Sequence, residues 1–109
     1  MKAEIKLAKK EDFKSLASIY AEEFSKPPFN EPWTTEKAAK KLEIFSKYCD
    51  LYSIISDKKT VGFIAVNPNQ WCPGEVLFGE EMAIKSEFQK KGIATEVFKQ
   101  IFQIYKKRG

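Results

Sequence analysis

Glu81-Met82-Ala83-Ile84-Lys85-Ser86-Glu87-Phe88-Gln89-Lys90-Lys91-Gly92-Ile93-Ala94-Thr95-Glu96 carries an apolar strand through a short basic turn into an amphipathic helix. A helix opening there leaves its first backbone N–H groups without intrahelical partners, and its aligned peptide dipoles add partial positive charge at the same end. Lys90 and Lys91 add whole charges, so the junction is suited to holding a phosphate. Gly92, lacking a Cβ, either admits a ligand close to the backbone or lets the turn take a positive φ, and Ala94 keeps the next turn narrow. Charge is distributed to match. Residues 85–109 hold seven Lys/Arg against two Glu, net +5, and residues 1–84 hold twelve Lys against thirteen acids, net −1, so the surplus of +4 lies around this turn and helix.

Working outward, Val76–Ile84 reads as the strand that feeds the junction, and Gly92–Lys107 as the helix that leaves it. The inner face of that helix is expected to be Ile93, Val97, Phe98, Ile101, Phe102 and Tyr105. Leu51–Ser56 and Thr60–Val66 are β-rich runs separated by Asp57-Lys58-Lys59, which predicts an antiparallel hairpin; Asn67–Gly74, with Pro68 and Pro73, is the loop that follows it. Near the start, Glu4–Ala8 alternates Ile5 and Leu7 with charged neighbours, as a half-buried strand does. Phe13, Leu16, Ala17, Tyr20 and Phe24 then recur at helical spacing over Glu11–Phe24. Three prolines in Lys26–Trp33 end that helix, and Thr34 or Thr35 caps a second one to about Lys47, with Ala38, Ala39, Leu42 and Phe45 inward. The predicted order is β-α-α-β-β-β-α.

The chain has 109 residues, 43% of them hydrophobic and 31% charged, which fits one globular domain with a single modest core. No apolar run approaches the roughly 20 residues of a membrane helix, and the N-terminus lacks the apolar segment of a signal peptide, so a cytoplasmic location is expected. There is no His, and Cys49 and Cys72 are the only cysteines. His-based catalysis and a zinc site of ordinary composition are therefore excluded, and both thiols read as reduced and structural.

Gln89-Lys90-Lys91-Gly92-Ile93-Ala94 resembles the acetyl-CoA signature of the GNAT superfamily of N-acetyltransferases, Arg/Gln-x-x-Gly-x-Gly/Ala. Its context fits, because in that family the motif follows the fourth strand and opens the third helix, after a helix pair and a hairpin. The resemblance spans Ile5 to about Arg108. It implies an α+β, three-layer fold on a mixed, mostly antiparallel sheet, with residues 1–109 forming one domain equal to the N-terminal two thirds of the family fold. The family usually continues with a strand, a helix and a terminal hairpin, and it often draws a general-acid Tyr from that region. Acetyl-CoA lies where the fourth and fifth strands splay apart. A chain stopping at Arg108-Gly109 is a piece of a longer protein, a short protein, or one completed by a partner, and an uncovered last strand leads us to expect self-association.

The resemblance also implies site residues. Gln89 to Thr95 would take the CoA pyrophosphate, through backbone N–H groups, Lys90, Lys91 and the Thr95 hydroxyl, and Met82, Ala83 and Ile84 would pair their backbone with the pantetheine arm. No metal is needed. Glu80 and Glu81 are the catalytic candidates, since acids in a strand of Val76, Leu77, Phe78, Met82 and Ile84 are costly to bury unless paired or used, and a carboxylate near the cleft takes the proton of the attacking amine. Strict alternation lets only one of them enter a given cleft, with Glu81 the slight favourite; the plainer alternative is a solvated Glu beside a Lys-paired one.

In Pro27–Trp33, which is similar to a Pro-Pro-Phe/Trp-Asn-Glu-x-Trp string of some bacterial members, Asn30, Glu31 and Trp33 would touch the acceptor. Alternatively Phe29 and Trp33 only pin the loop to the core. Trp71 and Phe88 read more simply as packing than as stacking groups for a base. The leading function is acetyl transfer to a primary amine, on a small molecule or a peptide. The alternatives are an inactive CoA-binding relative, or a polyanion-binding module using Lys90, Lys91, Lys99, Lys106, Lys107 and Arg108, which lacks any accompanying nucleic-acid signature.

Overall fold

The computed structural model describes residues 3–27, 29–67 and 78–108. Within them the order is β1 (Glu4–Leu7), α1 (Phe13–Phe24), α2 (Thr35–Tyr48), β2 (Asp50–Ser56), β3 (Lys59–Asn67), β4 (Phe78–Ile84) and α3 (Ile93–Arg108), with 3-10 turns at Lys10–Asp12 and Ser86–Phe88. The sheet runs β1-β2-β3-β4 with every neighbour antiparallel, so β4 is an edge strand. Val76, Leu77, Trp71 and Cys72 and the expected loop after Asn67 lie outside the described residues.

Both faces of the sheet are covered, which gives the expected three layers. On one face Leu16, Ala17, Tyr20 and Phe24 of α1 and Ala38, Leu42 and Phe45 of α2 pack on Leu51, Phe63, Ala65 and Ala83. On the other, Ile93, Val97 and Ile101 of α3 pack on Ile54, Ile64, Val66 and Ile84. Each fully buried Leu, Ile or Phe contributes roughly 1.5–3 kcal/mol through the apolar area it withdraws from water. The α3 stripe is narrower than the sequence pattern implies. Phe98 and Phe102 are exposed, because the seam with the sheet follows the i, i+4, i+8 row of Ile93, Val97 and Ile101 and leaves positions one residue on at its flank.

Local chemistry explains the boundaries. Thr34 caps α2, its Oγ1 accepting from Lys37 N–H at 3.1 Å. The β2–β3 hairpin closes on Asp57 and Lys58 with φ of 52° and 62°, the paired left-handed residues of a two-residue turn whose twist suits the strands. Gln100 of α3 serves β1, accepting from Ile5 N–H at 3.1 Å and donating to Ala3 C=O at 2.5 Å, so the helix satisfies an edge the sheet leaves open.

Gly62 fixes how closely β3 and β4 approach. A Cβ there would stand 2.2 Å from Ala83 O and 3.0 Å from Ile84 Cα, both backbone atoms, so β4 would have to shift away from β3. Gly62→Ala is therefore expected to destabilise the fold by roughly 2–3 kcal/mol in urea unfolding; a loss below about 0.5 kcal/mol would mean that the strands part there at little cost.

Candidate functional site

Strand β4 carries the first part of the site, and its register is irregular. Ala65 pairs with Glu81 but Val66 pairs with Gly79, leaving Glu80 as an extra residue in a bulge. Past it, Met82, Ala83 and Ile84 pair regularly with Ile64, Phe63 and Gly62. The bulge at Glu80 interrupts the strict alternation of the strand, and the charge of each carboxylate reaches groups of the helix pair. The charge of Glu81 acts on Tyr20 of α1, and that of Glu80 on Tyr48 and Cys49 at the end of α2.

Burial raises the Glu81 carboxyl above its ordinary value. The Met82 backbone N–H and Lys41 pull it down, while Glu31 and Glu80 push it further up. Glu81 and Glu31 both bear on Tyr20, whose hydroxyl is held protonated by burial and by these two carboxylates. Cys49 is buried and free, and burial, then Glu80, pushes its thiol up to about 11, so it is an inert packing residue.

Beyond Ile84 the chain needs eight residues to reach α3. Lys85 N–H still bonds to Val61 C=O at 2.8 Å, the Ser86–Phe88 turn follows, and then Lys90 and Gly92 take φ of 61° and 80°. An added Cβ at Gly92 would meet nothing within 4 Å, so the glycine is required by conformation and the space before it is open to a ligand. The first α3 bond runs from Glu96 N–H to Gly92 C=O at 3.1 Å. The N–H groups of Ile93, Ala94 and Thr95 precede it at the positive end of the helix dipole.

A cleft of about 560 Å³, within the usual range for small-molecule sites, opens in front of this turn. It gathers Met82, Ala83, Ile84, Gln89, Lys90, Gly92, Ile93, Ala94 and Thr95 of the predicted cofactor set. Lys91 is not among its lining residues; the Lys91 ammonium stands 6.0 Å from the centroid of the Phe88 ring. The side chains of Ile84 and Ile93 are buried in the α3 core and that of Ala83 in the helix-pair core, so these positions can offer a ligand chiefly backbone. Glu80, Glu81, Asn30, Glu31 and Trp33 do not line this cleft.

Sequence reasoning missed the far wall, made by the end of α1 and the loop after it: Glu23, Phe24, Lys26, Pro27 and Phe29. The local Glu23–Lys26 pair does not single Glu23 out, and its other partners lie 63 and 66 residues away. In that loop Trp33 packs against the core, whereas Phe29 is half exposed and lines the cleft. Trp33 meets Tyr20 edge-on at 4.6 Å, Phe29 meets Phe24 at 4.9 Å, and Tyr20 stacks on Phe63 at 5.5 Å. Trp33 Nε1 donates to Glu31 at 3.2 Å, which holds the Glu31 carboxylate on the side of Tyr20 and Glu81. Asn30 is exposed and left-handed, its N–H bonded to Lys26 C=O at 2.9 Å.

The sequence model described as the Acetyltransferase (GNAT) family matches residues 13–109. No curated protein matches the chain. Among solved structures, a possible acetyltransferase from Clostridium difficile 630 superposes with a TM-score of 0.75 at 18% identity, over 94% of this chain and 70% of that one. PaiA N-acetyltransferase from Thermoplasma acidophilum, in complex with coenzyme A, gives 0.67 at 17% identity, over 100% of this chain and 75% of that one. The ribosomal-protein-S18-alanine N-acetyltransferase of Escherichia coli gives 0.69 at 15% identity, over 99% and 62%. At such identities the likeness is one of fold. No helix among the described residues is long and apolar enough to cross a membrane, and none of their His, Cys, Asp and Glu side chains group as a metal site.

The raised Glu81 carboxyl has a stability consequence of definite sign. Because the folded state holds this proton more tightly than the unfolded chain, ionisation costs stability: the contribution is full below the ordinary value of 4.5 and is lost as pH rises through the folded value. Glu81→Gln is therefore expected to raise Tm at pH 7 by roughly 2–5 °C, with the gain vanishing below about pH 4. Scanning calorimetry across that pH range checks it, and a variant less stable than the parent at pH 7 would show the carboxylate to be a stabilising partner instead.

Proposed function

The chain belongs to the GNAT acetyltransferase family, and on that footing we propose that it binds acetyl-CoA in the cleft between β4, α3 and the end of α1 and transfers the acetyl group to a primary amine. The observation that carries this reading is the Lys85–Gly92 turn, which delivers the mouth of α3 into the wall of a cleft of suitable size. The bound thioester supplies an activated acyl carbon. The rest is the work of this chain's own residues.

The N–H groups of Ile93, Ala94 and Thr95, with the Lys90 ammonium, offer a diphosphate hydrogen bonds and charge at the positive helix end. The outer edge of β4, unpaired within the sheet, offers backbone groups at Met82–Ile84 to an extended pantetheine arm, which would lie beside it as a further strand. An amine attacks only when neutral. Glu81, with its carboxyl held above the ordinary range, is suited to accepting that proton directly or through water, and Glu31 and Glu80 add negative potential that draws a cationic acceptor toward it. Positioning and backbone N–H groups near the thioester carbonyl supply most of the acceleration.

Thermal denaturation with CoA tests the binding half of this reading. At a hundredfold excess over Kd, binding to the native state alone adds about 2.7 kcal/mol. Lys90→Glu, reversing a charge in the cleft, is expected to remove most of that gain, whereas Lys91→Glu, outside the lining, retains the larger part. Equal loss in both variants would reduce the role of the turn to bulk charge, and no loss in either would place the diphosphate elsewhere.

A further inference from the structure

Glu23 poses a physical problem. It lines the cleft that, in the reading above, takes a polyanion, yet it is a carboxylate, with its side chain only 10% exposed. A negative charge facing a diphosphate is unfavourable unless it is saturated by donors and does something a neutral side chain would not. It is saturated. Ser86 donates from its backbone N–H at 3.2 Å and from its hydroxyl at 3.1 Å, Gln89 from Nε2 at 3.1 Å, and Lys26 from Nζ at 3.3 Å. Lys26 Nζ also donates to Ser86 Oγ at 2.8 Å, and Gln89 Nε2 donates its second hydrogen to Ile84 C=O, the last residue of β4, at 2.7 Å.

Three of those donors belong to the segment between β4 and α3, the stretch that contains the left-handed Lys90 and Gly92. Little regular structure holds that segment apart from one 3-10 turn. We infer that Glu23 is a positioning residue: its carboxylate ties the Ser86–Gln89 turn to the end of α1, fixes the Gln89 amide, and thereby aims the N–H groups of Ile93, Ala94 and Thr95 at the diphosphate of CoA. The inference rests on the proposed acetyl-CoA reading and extends it. Glu23 touches no reacting atom. Since the chain continues from Glu23 at the end of α1 into Lys26, Pro27 and Phe29 of the following loop, on the far wall, the same tie joins the two sides of the cleft.

The sign of one substitution separates positioning from mere proximity. Were Glu23 only a like charge beside the ligand, Glu23→Gln would tighten CoA binding by removing repulsion. Positioning requires the opposite, because the Gln amide group presents hydrogens to the Ser86 and Gln89 donors and loosens the turn. Calorimetric titration of CoA is expected to show Glu23→Gln binding roughly tenfold to a hundredfold more weakly, the loss of a charge-assisted set of hydrogen bonds.

Glu22→Gln provides the charge-matched control. Glu22 is exposed, contacts Lys26 at 3.5 Å and has no bond to the turn, so CoA affinity should be unchanged or slightly improved. Ser86→Ala, which keeps the carboxylate and deletes the bridging hydroxyl, should weaken CoA by roughly threefold to tenfold and keeps the test open if Glu23→Gln folds poorly. Pantetheine, which lacks the diphosphate, should bind parent and variants alike.

Equal or tighter CoA binding by Glu23→Gln, unchanged binding by Ser86→Ala, or a matching loss for pantetheine overturns the inference while leaving the acetyl-CoA reading in place. A parent chain that does not bind CoA overturns that reading, and this inference with it.

Discussion

The chain leaves the sheet at Ile84 on an edge strand and must start α3 at Ile93, packed on the far face, within eight residues. That passage is possible only because the backbone turns left-handed twice, at Lys90 and Gly92. Lysine meets a steric cost in that region that glycine avoids, so the turn is a place where the fold accepts local strain. The result is a helix whose N–H groups emerge into a cleft, beside a strand that is at the sheet edge among the described residues. The remaining features of the molecule support this arrangement: Gly62 lets β3 and β4 close up, the α3 row of Ile93, Val97 and Ile101 seats the helix, and Glu23 secures the turn from the other side.

A second constraint acts one turn of strand earlier. At the bulge of Glu80 two carboxylates exert their charge on the helix pair, and Tyr20, Glu31 and Lys41 lie within electrostatic reach of Glu81. Burial makes that charge expensive. An apolar residue opposite Ala65 would avoid that cost, and the half-buried, raised carboxyl makes Glu81 a candidate for a functional role. The aromatic set of Tyr20, Phe24, Phe29, Trp33 and Phe63 gives the region rigidity, and through Trp33 Nε1 it also orients Glu31. The same ring that packs on Tyr20 thus also holds the Glu31 side chain.

Much of the architecture was legible in the sequence because it is locally encoded. Phe13, Leu16, Ala17, Tyr20 and Phe24 mark a helix by spacing alone, Thr34 or Thr35 marks its successor by a cap, with Thr34 the one that serves, and Gln89–Ala94 marks the turn that opens α3 by composition and context. What escaped was encoded at a distance. A bulge adds one residue to one strand of a pair, and nothing in Gly79-Glu80-Glu81 by itself tells which partner Ala65 and Val66 will choose. Glu23 looks like any polar residue on an amphipathic helix until the fold brings Ser86 and Gln89 to it. Phe98 and Phe102 satisfy a helical pattern and yet are exposed, because periodicity fixes a face only to within a residue and the sheet selects the seam.

Each of these threads leads to whether the mouth of α3 holds a diphosphate. A crystal structure of the chain with CoA decides it most directly. The diphosphate is expected within hydrogen-bond distance of the N–H groups of Ile93, Ala94 or Thr95, and the pantetheine arm beside Met82–Ile84. Diphosphate density bound elsewhere, for instance along the outer lysines Lys99, Lys106 and Lys107 of α3, would contradict it.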